Sequence, residues 1–362
     1  MANMRAFVTD GNKSAAVKQI SRPNVGPGEV LVKIHYAAQN PTDCKAMGGP
    51  PGAPPPPADR ILGCDFAGTI ENPGTSGWKV GQRVAGFVQG GSTNGTEANP
   101  IRGAFSEFIP IEETLVFAVP ESIDLKDAAA VPLAFATAVQ ALYQRISLPG
   151  PATPSTTSPW LFVYGGATSV GKYAIQLGKL SGFRVITTAS PKNHDELKSL
   201  GADEVLDYHD EAWPDKLHQA TDGQLQHAFE CTGGYDVTVK IAKSISRNGG
   251  DICVLKPLNP DVKAEIAAAN PKVKAQSTAI YTVFERPIIF NRFGFDNCGA
   301  ETPEDKAFYQ KYLPLLTQFL SEGSVKPNKV KVVGTLQDIL TGFKAWQEGK
   351  ISSEKLVYKV IK

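Results

Sequence analysis

The apolar positions along the chain follow two different rhythms. Up to about Pro120 they come in short runs between turn residues. Residues 30–37 (VLVKIHYA) alternate in part and are rich in β-formers, and Gly28-Glu29 ahead of them reads as a turn. Residues 81–88 and 103–109 repeat the turn-then-strand pattern. From Trp160 to about Leu255 the rhythm changes, and apolar strand-like runs alternate with helical patterns, the signature of a parallel sheet. Between the two regions, residues 127–142 are small and apolar, which suits tightly packed helices joining two domains. Further on, residues 308–319 predict one amphipathic helix, and residues 330–333 and 355–360 predict strands. Two segments interrupt the pattern. Residues 48–57 are dense in proline, whose missing N–H groups and fixed φ rule out regular pairing and predict a loop of polyproline character. Residues 149–159 are a loop by their Pro/Ser/Thr composition.

A chain of 362 residues implies two domains or one large one. Its net charge of +1 gives no reason to expect a nucleic-acid partner. No apolar run approaches the roughly 20 residues of a membrane span, and the first residues pass into a strand pattern without a secretory core. A cytoplasmic enzyme is the expectation. The cysteines, Cys44, Cys64, Cys231, Cys253 and Cys298, form no Cys-x-x-Cys pair, and no His-x-x-x-His pair exists. Reduced thiols and no structural zinc site follow.

The chemistry is concentrated in residues 161–172 (LFVYGGATSVGK). A short apolar run leads into a small-residue loop, and a helical pattern opens directly after it. Backbone N–H groups and the positive end of a helix dipole favour a pyrophosphate there, so Ala167, Thr168, Ser169 and Val170 are the expected cradle of a dinucleotide. A second apolar run, 183–189, ends at Ser190-Pro191-Lys192-Asn193. An acid at this tip would bind the free 2′-hydroxyl of NAD. None is present. The hydroxyl, ammonium and amide found there suit a 2′-phosphate, and Tyr208 after the third strand adds a phenolic donor. The expected cofactor is NADP(H).

The order of these pieces resembles the medium-chain dehydrogenase/reductase superfamily over nearly the whole chain. The matching motifs are Asn40-Pro41-Thr42-Asp43-Cys44-Lys45, Gly63-Cys64-Asp65-Phe66-Ala67-Gly68, Val80-Gly81-Gln82-Arg83-Val84, Gly103-Ala104-Phe105 and the small apolar segment 128–142. The resemblance implies an α/β protein, with a β-rich GroES-like domain over 1–135 and 310–362 and a Rossmann domain, a doubly wound parallel sheet, over 136–309. Zinc members of the superfamily carry a Cys near position 40 and Gly-His-Glu near position 63. Asn40-Pro41 and Gly63-Cys64-Asp65 stand there in this chain, so no metal is expected.

Within the zinc-free branch, three details are similar to the fungal trans-acting enoyl reductases that serve polyketide synthases. They are the YGGATSVG form of the loop, the Ser190–Asn193 tip and the Pro-rich 149–159 segment. The resemblance places Thr42, Asp43, Cys44 and Lys45 at the nicotinamide ribose, and Val254, Leu255, Ile351 and Ser352 beside the nicotinamide. Thr137 and the run Ile288, Ile289, Phe290, Asn291 and Arg292 would face the substrate. It implies hydride transfer from NADPH to the β-carbon of an α,β-unsaturated thioester. Lys45 is the main catalytic candidate, followed by Thr137 and Asn40. The thioester would ride on a carrier protein of a polyketide synthase, docked by basic residues such as Lys272, Lys274, Arg286 and Arg292. A loop insertion over 292–304 would block edge-strand pairing and leave a monomer. A quinone or 2-alkenal reductase and a catalytically silent NADPH-binding partner remain as alternatives.

Overall fold

In the computed structural model, the described residues are 2–48, 55–91, 102–285 and 302–361. The chain divides into two compact units. The first comprises Met1–Leu133, Tyr281–Gly323 and Pro327–Lys362, and the second Ala134–Ile280 with Ser324–Lys326. The second boundary was expected at 309; instead, the described residues after Ile280 fall with the first unit.

The first unit opens with a two-stranded antiparallel pair, β1 (Asn3–Thr9) and β2 (Ala15–Ser21). Strand β3 (Glu29–Ala38) leads into helix α1 (Pro41–Gly48). Strands β4 (Asp65–Asn72), β5 (Arg83–Phe87), β6 (Phe108–Glu112) and β7 (Val116–Ala118) follow. The strand expected over 103–109 begins only at Phe108. Residues ahead of it turn instead, with Ser106 Oγ within hydrogen-bond distance of the carbonyls of Gly103 (2.8 Å) and Phe108 (3.0 Å), either of which can take its one proton. The small apolar segment becomes α2 (Leu125–Ala128), α3 (Pro132–Val139) and a π-helical turn over Gln140–Arg145.

The second unit is a six-stranded sheet, every adjacent pair parallel, built from β8 (Trp160–Tyr164), β9 (Arg184–Thr188), β10 (Glu204–Leu206), β11 (His227–Glu230), β12 (Gly250–Val254) and β13 (Val273–Ser277). Their spatial order is β10-β9-β8-β11-β12-β13, so the chain reverses direction of growth between β8 and β11. Ligands of such sheets bind at the carboxyl ends of the strands beside that switch. Helices α4 (Ser169–Leu180), α5 (His194–Ser199), α6 (Trp213–Ala220), α7 (Tyr235–Ser244) and α8 (Pro260–Ala269) connect the strands. Continuous apolar runs bury both faces of the central strands. Trp213 on α6 stacks on Phe162 of β8, with ring centroids 5.6 Å apart.

The chain then returns to the first unit through α9 (Pro303–Gln310), α10 (Tyr312–Glu322), β14 (Val330–Thr335), α11 (Ile339–Gln347) and β15 (Lys355–Lys359). The single helix expected over 308–319 is therefore two. Pro314 has no N–H to give the Gln310 carbonyl, and the helix restarts at Tyr312. Strand β15 pairs with β3 and completes a seven-stranded sheet ordered β14-β15-β3-β4-β5-β7, with β6 also on β3. Phe7, Phe105, Phe343 and Tyr358 form an aromatic cluster, edge-on for Phe7–Phe105, Phe7–Phe343 and Phe105–Tyr358 and tilted for Phe105–Phe343. No helix among the described residues is long and apolar enough to cross a membrane.

Candidate active site

The turn between β8 and α4 is shaped by close backbone approach. Gly165 adopts φ +84°, and a Cβ there would meet Thr232 Cγ2 at 2.6 Å. A Cβ on Gly171 would run into the Gly165 carbonyl. Thr168 caps α4, its side chain accepting from Gly171 N at 3.0 Å and satisfying one of the first-turn N–H groups. Ala167, Thr168, Ser169 and Val170 are all partly exposed around this end. The opposing loop is fixed by Glu230, a fully buried carboxylate at the end of β11 that accepts from Thr232 N (2.6 Å) and Gly233 N (2.7 Å). This cradle of small residues over a capped helix start fits a dinucleotide pyrophosphate.

At the tip of β9, Ser190 is partly exposed, Pro191 and Lys192 are exposed, and Asn193 is buried. Ser190 Oγ donates to Tyr208 Oη at 3.4 Å, and Tyr208 stacks on His209 with ring centroids 4.0 Å apart. The structure thus brings together three of the expected groups, Ser190, Lys192 and Tyr208, around one exposed turn. Lys172, in contrast, is buried and paired with Glu196 at 2.5 Å. Val254 is buried at the end of β12, and Leu255 is partly exposed after it.

In the first unit, α1 carries the other candidates. Lys45 is exposed, Thr42 half-buried, and Asp43 and Cys44 buried. Asp43 Oδ2 accepts from Asn40 N at 2.7 Å and closes the first turn of the helix. The Asn40 side chain is already committed. Its Nδ2 donates to Asp65 Oδ2 (2.9 Å), and its Oδ1 accepts from Lys355 Nζ (2.9 Å). Lys355 also meets Asp65 Oδ2 at 2.5 Å, and Asp65 Oδ1 accepts from Leu133 N at 2.7 Å. Both ions of this pair are almost fully buried, with side chains 2% and 0% exposed.

Burial pushes the Asp43 carboxyl up to about 7, with Asp65 adding to the rise and the Cys64 thiol, Asn40 N–H and Lys355 opposing it. Burial likewise raises the thiols of Cys44 and Cys64, so both are neutral at ordinary pH. Zinc needs thiolate, imidazole or carboxylate donors converging on one point. Here the carboxylate of Asp65 and the amide oxygen of Asn40 already hold an ammonium. No cluster of three or more His, Cys, Asp or Glu able to hold a metal occurs among the described residues. The residues at these positions do not fit a zinc ion.

Thr137 is buried on α3, Ile351 is partly exposed and Ser352 exposed. Ile288, Ile289, Phe290, Asn291 and Arg292, and the basic candidate Arg286, lie outside the described residues; Lys272 and Lys274 are exposed at β13. Sequence reasoning missed Lys355, Glu230 and Tyr281. A lysine opening the apolar run LVYKV was a readable signal for Lys355. Tyr281 had none, since its partner Cys64 lies 217 positions away.

Comparison with known proteins agrees with this geometry. Residues 26–121 match the alcohol dehydrogenase GroES-like domain, and residues 169–275 match the zinc-binding dehydrogenase family. A trans-enoyl reductase of Alternaria alternata, ACTTS2, is 30% identical over 99% of this chain and 100% of its own length. The trans-enoyl reductase mpsG of Macrophomina phaseolina is 33% identical over 92% of this chain and 91% of its own. Among solved structures, the CurK enoyl reductase superposes with a TM-score of 0.77 at 18% identity, covering 99% of both chains. A quinone oxidoreductase from Coxiella burnetii gives 0.71 at 22%, covering 99% of this chain and 100% of its own. A GroES-like unit, a Rossmann unit and full-length relatives at this identity make the chain a member of the medium-chain dehydrogenase/reductase family of nicotinamide-dependent oxidoreductases.

Proposed function

We propose that the chain is an NADPH-dependent, zinc-independent trans-acting enoyl reductase that reduces an α,β-unsaturated thioester carried by a polyketide synthase. One observation carries this reading. A dinucleotide cradle with an acid-free, hydroxyl-and-ammonium tip sits in a chain whose full-length relatives are named trans-enoyl reductases.

When bound, the reduced nicotinamide supplies a hydride for the β-carbon. The chain's residues do the rest. The first turn of α4 holds the pyrophosphate, and Ser190, Lys192 and Tyr208 recognise the 2′-phosphate. The thioester oxygen gains negative charge as the double bond is reduced, and a fixed cation or donor stabilises it in place of a metal. Lys45, exposed on α1 three positions after Thr42, is assigned to that oxygen and the ribose. Asn40 orients α1 rather than touching substrate. Lys272 and Lys274 belong to the surface that meets an acidic carrier protein, and the enzyme works as a cytoplasmic monomer.

The test is Lys45→Ala, assayed by NADPH oxidation with a 2-enoyl pantetheine thioester. Loss of a positioned acid or donor costs about 10²–10⁴-fold. A fall in kcat of at least about 10²-fold is expected. Unchanged turnover and unchanged NADPH affinity would remove Lys45 from the mechanism.

A further inference from the structure

The tip of β9 holds no acid, but the turn after β10 brings one to its side. Ala189 N donates to Leu206 O at 3.0 Å, so Ser190 and Asp207, the next residue on each segment, leave the sheet next to one another. Tyr208 follows, with its hydroxyl 3.4 Å from Ser190 Oγ. A free carboxylate in this place would accept the 2′-hydroxyl of an unphosphorylated ribose and repel a 2′-phosphate.

The structure gives that carboxylate another partner. Asp207 Oδ1 accepts from His209 N at 3.0 Å and lies 2.8 Å from His209 Nδ1. An ionised carboxylate only accepts, so Nδ1 carries the hydrogen of this bond. The two bonds from His209 hold the Asp207 carboxyl below the usual carboxylate range. The same imidazole stacks on the Tyr208 ring, with centroids 4.0 Å and planes 29° apart. The other acids of the turn are also engaged, Asp210 by Lys216 at 2.6 Å and Glu211 by Lys240 at 3.1 Å. Lys192, exposed at the tip, has no ion pair with any described residue. The acids beside the tip are thus taken up locally, and the cation of the tip is left over. Stability does not account for the Asp207–His209 pair. Its side chains are 32% and 59% exposed, a setting in which ion pairs add little to the fold.

We propose that His209 is a cofactor-specificity residue: it holds the Asp207 carboxylate on its Nδ1–H, withholds that acid from the adenosine ribose and leaves the tip to a 2′-phosphate. This role rests on the NADPH reading. His209 acts through Asp207 and is a positioning residue. Without it, Asp207 turns freely beside Ser190, where it favours a ribose hydroxyl over a phosphate.

The experiment reads binding rather than turnover. Calorimetric titration with 2′-phospho-ADP-ribose and with ADP-ribose compares wild type, His209→Ala, Asp207→Asn and the double variant. Both ligands share the pyrophosphate, so ADP-ribose binding also reports an intact fold. Wild type should prefer the phosphorylated ligand by about tenfold or more. His209→Ala should cut that preference about tenfold, the scale of one like charge a few ångströms from a phosphate, with ADP-ribose affinity kept or raised. Asp207→Asn alone should stay within about threefold of wild type, because an exposed pair is worth little by itself. Adding Asp207→Asn to His209→Ala should restore the preference. The loss in His209→Ala should also shrink in about 1 M salt, where charges are screened within a few ångströms. An unchanged preference in His209→Ala overturns the role, since Asp207 then never bears on the ribose. A double variant as poor as His209→Ala also overturns it, and assigns the loss to the Tyr208 stack instead. Equal binding of the two ligands by wild type overturns the NADPH reading itself, and the role of His209 with it.

Discussion

Lys355 and Lys192 are the same side chain in opposite settings. Lys355 is buried against Asp65 and Asn40 inside the first unit, whereas Lys192 is exposed at the tip of β9 in the second. A buried ammonium cannot lose its partners without leaving an uncompensated charge, so Lys355 is tied to the fold. An exposed ammonium pays little to change partners and is available to a ligand. The contrast teaches that burial, more than residue type, divides the polar groups of this chain between structure and recognition.

The sharpest break of the comparison is Lys355→Met. Removing one member of a buried pair typically costs about 3–5 kcal/mol. Denaturant unfolding should show a loss of that order, and a change under about 1 kcal/mol would mean the pair is far more hydrated than its burial implies.

Asp43 offers a pH test of the same idea. Its folded-state value is raised from the ordinary 3.8 to about 7, so the folded form binds a proton that the unfolded chain releases. That contribution is full below about 4 and is lost as pH rises through about 7, at a cost of roughly 4 kcal/mol. Unfolding free energy should fall across this window in wild type and much less in Asp43→Asn. Parallel curves for the two proteins would show that burial does not hold the proton.

The smallest expected effect sharpens the comparison from the exposed side. Ser190→Ala with Lys192→Ala should weaken NADPH binding about 10- to 100-fold, the value of charge-assisted hydrogen bonds, and spare NADH and stability. Fluorescence titration of both cofactors reads the ratio, and equal losses would remove the 2′-phosphate role.

How far each site was legible in the sequence follows the same division. The cradle and the tip are local: Gly165 to Gly171 and Ser190 to Asn193 are contiguous, so their chemistry stands in the chain as written. The parallel sheet was also legible, from the alternation of strand-like and helical apolar periods, whereas its strand count and order come from the structure. The polar cluster under α1 is not local. Asn40 lies 315 positions from Lys355 and Cys64 lies 217 from Tyr281, and only folding brings them together. Asp43 was expected at the cofactor because it lies within the Asn40–Lys45 motif; its side chain turned inward to close the first turn of α1. The helix expected over 308–319 failed for a local reason that was legible, the proline at 314.

The measurement that bears most directly on the central claim is kcat/KM with saturating NADPH for a 2-enoyl pantetheine thioester and for a quinone, taken on one preparation. An enoyl reductase should favour the thioester by at least tenfold and return a product heavier by two hydrogens. A tenfold preference for the quinone would contradict the account and move the protein to the detoxifying branch of its family.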